Sequence, residues 1–253
     1  MHEYGGGAFL PTTDGVFFVN DRDGDLYLAE PAGSVRRLTT LDGITRLADL
    51  AWDADRARLI AVCERHPAGA ADAAAGVENL LVALPLDAAR TRAGPLVELH
   101  RGHDFYAAPR IAPDGSRIAF VAWDDPNMPW DGTVLKVAEF AADGSLVRET
   151  VTAGSATESV QQPLWMPDGA LVFVSDQNGF WNLYRYDESG VHCLLEDGAE
   201  YAEAPWTLAE RSFAAIGPGH LVACRCTPGQ AELVLVDART GFASPLIAGD
   251  HAE

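Results

Sequence analysis

The sequence predicts a single all-β domain of the β-propeller type. Long helical periodicity is scarce, and short apolar runs recur along the chain, as at residues 59–62, 118–121 and 171–174. Each run is bounded by Asp, Gly, Pro or Asn, a pattern typical of many short strands separated by turns. The same turns also recur in a fixed order, which favours repeated blades over a two-sheet sandwich.

One repeat reads as strand, Asp-Gly turn, strand, Asp-x-x-Gly turn, strand, polar turn and strand. Pro113-Asp114-Gly115 and Pro167-Asp168-Gly169 form the first turn of two repeats. Four strands in roughly 40–55 residues is the signature of a propeller blade. We therefore expect five four-stranded blades within one domain, residues 1–253, at about residues 4–40, 46–102, 105–154, 159–198 and 203–249.

The charge balance excludes two classes of partner. With 18 basic and 37 acidic side chains, the formal net charge is −19. A field of this sign repels phosphate backbones and anionic lipids, so we expect neither nucleic-acid nor membrane binding. No apolar stretch approaches the roughly 18 residues of a membrane helix, and the first residues show no signal peptide. Four cysteines without zinc-ligand spacing indicate free thiols, which favours a cytoplasmic protein.

Several longer strings resemble one peptidase family. The chain resembles the propeller of prolyl-oligopeptidase-family serine peptidases, in the dipeptidyl-aminopeptidase and acylaminoacyl-peptidase-like branch. The matching strings are Glu3-Tyr4-Gly5-Gly6-Gly7-Ala8, residues 104–110, Asn127-Met128-Pro129-Trp130-Asp131-Gly132-Thr133, residues 158–163 and residues 174–184. The resemblance implies a propeller ring with more blades than five, so we expect this chain to form a partial ring and to be truncated at both ends.

The catalytic part of the family pattern is missing from this sequence. In the family an α/β-hydrolase domain follows the propeller and carries its nucleophile in a Gly-x-Ser-x-Gly elbow. None of the nine serines here lies between two glycines at that spacing. We therefore expect no catalytic residue and no enzymatic activity in this chain.

The resemblance implies a non-catalytic function. The propeller would dock on a hydrolase domain, normally on the same chain, and would gate the access of peptides to it. A free-standing propeller that binds proteins or peptides is the alternative. Because a partial ring exposes the faces of its first and last blades, we also expect self-association. The side chains expected on those faces are Phe9, Phe17, Leu233 and Leu235.

Two short segments are the candidate gating or docking sites. Glu3 and Tyr4 open the chain, and Asn127, Met128 and Trp130 occupy a loop that replaces a simple turn. A loop that carries Trp and Met outside any core periodicity is a plausible contact surface. The competing interpretation is that the three glycines after Tyr4 only let a strand cross tightly and that Trp130 caps a blade.

Other patterns favour structural roles. His100 and His103 could present two imidazoles to a metal, but a surface turn between blades is favoured. We therefore expect no metal and no cofactor. Tryptophans recur at equivalent places in the repeats, which predicts packing between blades. These tryptophans are Trp52, Trp165 and Trp206.

Overall fold

The computed structural model describes residues 2, 4–67 and 76–246. These residues form twenty strands in five separate four-stranded antiparallel sheets. In each sheet the strands follow one another in chain order, as in a β-meander. The sheets are arranged in a ring, and the prediction of a propeller with five four-stranded blades is confirmed. Nowhere in the described residues is there a helix long and apolar enough to cross a membrane.

The strands of the first two blades precede residue 101. Blade 1 consists of β1 (Phe9–Thr12), β2 (Gly15–Val19), β3 (Leu26–Ala29) and β4 (Val35–Arg37). Blade 2 consists of β5 (Thr45–Asp53), β6 (Arg58–Arg65), β7 (Glu78–Pro85) and β8 (Val97–His100). The first strand of each blade contacts the first strand of the next from β1 to β13, so these strands surround the propeller axis.

The remaining three blades repeat the same order. Blade 3 consists of β9 (Phe105–Ile111), β10 (Arg117–Trp123), β11 (Val134–Phe140) and β12 (Leu146–Gly154). Blade 4 consists of β13 (Val160–Trp165), β14 (Leu171–Ser175), β15 (Asn182–Asp187) and β16 (Gly190–Leu195). Blade 5 consists of β17 (Phe213–Gly217), β18 (His220–Thr227), β19 (Gln230–Asp237) and β20 (Ala243–Pro245).

The repeated Pro-Asp-Gly motif closes the first hairpin of blades 3 and 4. In blade 3 the Gly115 amide donates to the Ala112 carbonyl at 2.9 Å, and Gly115 has a left-handed φ of 67°. The Asp114 carboxylate accepts from the Ser116 amide at 3.0 Å. Glycine adopts this φ without steric cost, and Asp stabilises the turn locally, which explains why this triplet recurs.

Adjacent blades share hydrophobic cores, and alternate residues of one strand enter different cores. In β6, Leu59, Ala61 and Cys63 pack toward blade 1, whereas Ile60 and Val62 pack toward blade 3. A strand buried on both faces has no polar face, so it reads as a continuous apolar run. Blade pairs 1–2, 2–3, 3–4 and 4–5 each share one such core.

No fifth core joins blade 5 to blade 1 within the described residues. Phe9 is 67% exposed and Leu233 is 46% exposed, as expected for these two faces, and Leu235 is half-buried. The expectation for Phe17 was wrong, because Phe17 is fully buried against blade 2. Side chains alternate along a strand, so the neighbouring Phe18 lies on the open face instead.

Candidate functional site

The strands around the axis share an unusual backbone feature. In each blade, one residue in or just before the innermost strand has a left-handed φ of 46–61°. These residues are Gly7, Asp49, Ala108, Gln162 and Ala209. In β5, β9 and β13 the feature coincides with an interruption of strand pairing of the β-bulge type. Non-glycine residues rarely adopt this conformation, and strained backbone of this kind clusters at functional sites.

Asp49 is the residue that ties three blades together at the axis. Its carboxylate accepts from the Ala108 amide at 2.6 Å and from the Arg110 guanidinium at 3.0 Å, both on blade 3. Its own amide donates to the Gly7 carbonyl at 2.8 Å, ahead of blade 1. Asp49 is only 2% exposed, so its charge depends on these partners for stabilisation.

Residues 5–7, the three glycines after Tyr4, form a crossing segment that runs between blade 5 and blade 2. The Gly5 carbonyl accepts from the Leu208 amide at 3.0 Å, and Gly6 forms a parallel bridge with Leu208. A Cβ on Gly6 would lie 2.3 Å from the Leu208 carbonyl oxygen, and one on Gly7 would lie 2.7 Å from the Asp49 nitrogen. Only glycine fits such a close approach of backbones, as the tight-crossing interpretation predicts.

Tyr4 anchors an aromatic cluster beside this crossing. Its ring contacts those of Phe105 and Trp123 edge-on, with centroid separations of 5.7 and 5.5 Å. Burial raises the pKa of the Tyr4 hydroxyl, so this group stays neutral. Glu3, the other candidate in this segment, lies outside the described residues.

A small cavity of about 40 Å³ lies at the axis next to this cluster. Its wall includes Tyr4 and four of the five left-handed residues, namely Asp49, Ala108, Gln162 and Ala209. A space of this size holds a few water molecules at most, well below the roughly 300–1,000 Å³ of small-molecule sites. The strained inner strands therefore line this small axial cavity.

The predicted loop around Trp130 borders the same cavity. The Asn127 side-chain amide donates to the Ala156 carbonyl at 2.9 Å, and the Ser159 hydroxyl donates to the Pro129 carbonyl at 2.8 Å. Pro129 lines the cavity, while Met128 is 38% exposed beside it. The loop therefore has a fixed backbone and presents an exposed apolar side chain at the rim.

Trp130 pairs with a residue that sequence reasoning assigned to a different role. Its ring centroid lies 4.2 Å from that of Trp206, which is 66% exposed. The expectation that Trp206 packs between blades was wrong, because Trp206 lies in the loop before β17. Trp165, by contrast, is buried between blades 3 and 4 as predicted. The Trp130–Trp206 pair thus bridges loops of blades 3 and 5 at the rim.

The two candidate histidines have carboxylate and hydroxyl partners. His100 lies 2.6 Å from Glu149 through Nε2 and 2.8 Å from the Tyr106 hydroxyl through Nδ1. His103 lies 2.9 Å from Asp124. Burial lowers the pKa of His100. No group of three or more metal-binding side chains occurs in the described parts of the chain.

Comparison with solved structures places this chain in the class of propellers that occur in peptidases. A puromycin-hydrolyzing peptidase from Mycobacterium tuberculosis is 33% identical with a TM-score of 0.84, over 97% of this chain and 39% of that chain. A puromycin hydrolase is 30% identical with a TM-score of 0.83, over 95% of this chain and 38% of that chain. Neither a family model nor a curated protein matches the chain.

A more distant structure shares the fold. Prolyl oligopeptidase B from Galerina marginata is 14% identical with a TM-score of 0.65, over 93% of this chain and 33% of that chain. The predicted resemblance to prolyl-oligopeptidase-family propellers is confirmed by the puromycin-hydrolysing peptidases, which are 30–33% identical to this chain, whereas the more distant structure shows the fold alone. The chain is homologous to a propeller portion of these peptidases and spans 38–39% of the length of the puromycin-hydrolysing ones.

Asp49 gives a direct test of the axial network. We expect Asp49→Ala to lower the free energy of unfolding by about 3–5 kcal/mol, because it leaves the partly buried Arg110 without its ion-pair partner. Glu139→Ala is the control, since Glu139 pairs with Arg148 on the surface at 2.7 Å and should change stability by about 0.5 kcal/mol or less. Urea denaturation measures the free energy of unfolding of both variants. An equal loss of stability in the two variants would contradict the role assigned to Asp49.

Proposed function

We propose that this chain is a non-catalytic propeller that docks on a peptidase hydrolase domain and gates the access of peptides to it. The observation that carries the proposal is the Trp130–Trp206 pair at the rim of the axial cavity, in which Trp130 is half-buried and Trp206 is 66% exposed. Homology to a propeller portion of peptidases supports the kind of partner. The hydrolytic chemistry is assigned to that partner, because no serine in this sequence occupies a Gly-x-Ser-x-Gly elbow.

The rim has the properties of a docking surface. Trp and Met are enriched at interfaces, and a few such side chains usually supply most of the binding energy. The loop that carries Met128 and Trp130 is braced by hydrogen bonds, including one from the Met128 amide to Asp131 at 3.0 Å. A surface that is already ordered loses little entropy on binding, so more of its contact energy appears as affinity.

Gating rests on the crossing segment at the axis. The backbone of residues 5–7 lies across the axis, because it hydrogen-bonds Leu208 on one side and Asp49 on the other. An extended peptide that follows the axis must therefore pass Tyr4 and the rim loop. In this proposal, only slender, extended chains would reach the hydrolase domain by this route.

The docking proposal is tested with the rim tryptophans. The chain is mixed with the M. tuberculosis puromycin-hydrolyzing peptidase from which the matching segment has been deleted. We expect a complex, and we expect Trp206→Ala to weaken it at least tenfold, because an exposed aromatic anchor is lost. Phe242→Ala is the matched control, since Phe242 is 71% exposed on a different part of blade 5. Isothermal titration calorimetry gives both affinities.

Two results would count against docking at the rim. The first is no association between the chain and the hydrolase portion. The second is an equal loss of affinity in the Trp206 and Phe242 variants. Association of the chain with unrelated peptides or proteins, together with no hydrolase binding, would favour the free-standing interaction propeller instead.

We further propose that the isolated chain self-associates through its open blade faces. Phe9 and Val35 on blade 1 are 67% and 60% exposed, and Leu233 and Leu246 on blade 5 are 46% and 42% exposed. Apolar patches of this kind favour association. The net charge of −19 opposes it, but salt screens that repulsion beyond about 8–10 Å.

Static light scattering at low and high salt measures this property. We expect the average mass to rise with salt, and Phe9→Ser combined with Leu233→Ser to reduce the rise. Val191→Ser is the control, because Val191 is 40% exposed on blade 4, away from both faces. A monomer at both salt concentrations would show that the two faces do not drive association.

A further inference from the structure

Two of the four cysteines place their thiols side by side on blade 5. Cys224 and Cys226 both lie in β18, and their Sγ atoms are 3.7 Å apart. Leu221 and Ala223 of the same strand enter the core between blades 4 and 5. Because side chains alternate along a strand, the two cysteines project from the opposite, open face of blade 5. Both residues are partly exposed, so dissolved ions can reach the pair.

The strand geometry disfavours a disulfide between these two thiols. Residues two apart in an extended strand are separated by about 6.4–6.8 Å at Cα, which is the upper end of the range that a disulfide spans. The Cys224 amide donates to the Ser212 carbonyl and the Cys226 amide to the Glu200 carbonyl, each at 2.8 Å. On the other side, β19 pairs with every residue of β18. Closing the S–S bond would therefore pull β18 out of a fully paired, extended conformation.

The same separation suits one tetrahedral metal ion. Zinc binds thiolate sulfur at about 2.3 Å, so two sulfurs on one edge of the tetrahedron are about 3.8 Å apart. The observed Sγ–Sγ distance of 3.7 Å matches this edge with the backbone as it stands. The sequence lacks Cys-x-x-Cys spacing, but a strand brings residues i and i+2 to one face, so Cys-x-Cys can present two thiols to one ion.

Acidic side chains beside the pair favour a cation. Burial, the neighbouring Cys224 thiol and the carboxylates of Glu203 and Glu200 raise the pKa of the Cys226 thiol. These carboxylates disfavour a bare thiolate at this place, and for the same reason they stabilise a divalent cation bound to it. The net charge of −19 adds to the attraction.

We propose that Cys224 and Cys226 form a binding site for one thiophilic divalent cation such as Zn²⁺. Both thiols lose their protons to solvent when the ion binds. No third metal-binding side chain completes the set within the described residues, so water molecules take the two remaining tetrahedral positions. The inference goes beyond the proposed docking and gating function, because it assigns a separate metal site to the open face of blade 5.

Calorimetry with Zn²⁺ on the reduced full chain tests the site. We expect one ion per chain. The double variant Cys224→Ser with Cys226→Ser should bind it at least tenfold more weakly, because loss of even an outer-shell partner typically weakens metal affinity about 10–100-fold. Cys193→Ser is the matched control, since Cys193 is also partly exposed but lies on blade 4, and it should bind within about twofold of the wild type.

Three results would overturn the proposal. They are equal affinity in the double variant and the Cys193 variant, no binding at millimolar Zn²⁺, and half an ion per chain, which would mean that two copies share the ion. Cys226→Ser alone covers the case in which the double variant fails to fold, and it should also weaken binding at least tenfold.

Cobalt substitution identifies the ligands directly. Co²⁺ absorbs visible light strongly in a tetrahedral site, and its bonds to thiolate add charge-transfer absorption in the near ultraviolet. We expect both features in the wild type and in Cys193→Ser, and loss of the charge-transfer absorption in the double variant. Bound Co²⁺ without that absorption would place the ion on carboxylates or histidines and would overturn the dithiol site.

Discussion

The structure depends on the hydrogen-bonded contact between backbones at the propeller axis, with the buried carboxylate of Asp49 at its centre. This carboxylate holds the Ala108 amide and Arg110 of blade 3, while the Asp49 amide holds Gly7. The hydrophobic cores join neighbouring blades pairwise, but the axial contacts join blades 1, 2, 3 and 5 in one network. Because the inner strands approach one another closely at the axis, each blade has a residue with strained, left-handed backbone at this place.

The same constraint shapes the cavity and the rim. Because the inner strands bulge at equivalent places, they leave a small space of about 40 Å³ between them and do not pack completely together. Tyr4 and Trp123 line that space, and the Trp130–Trp206 pair lies at its edge. The axial geometry therefore links the fold to the proposed function, since docking uses the loops at the edge of this space.

The sequence predicts the blades well because turn chemistry is local. Pro113-Asp114-Gly115 specifies a tight turn wherever it occurs, and its repetition reveals the blade period. The left-handed residues Asp49 and Ala108 could not be predicted, since only tertiary contacts impose that backbone on Asp or Ala. The exposure of Trp206 was missed for a related reason: its place in the repeat suggested a strand, whereas it lies in a loop that reaches across the axis.

The most direct test of the axial account compares two neighbouring glycines. Gly5 and Gly6 have similar left-handed φ values of 69° and 72°, but a Cβ on Gly5 meets no atom within 4 Å, whereas one on Gly6 would meet Leu208 at 2.3 Å. Urea denaturation should show that Gly5→Ala costs about 1–2 kcal/mol from backbone conformation alone. Gly6→Ala should cost about 1–3 kcal/mol more, because the clash separates blade 5 from the crossing segment. Equal stability of the two variants would contradict the account.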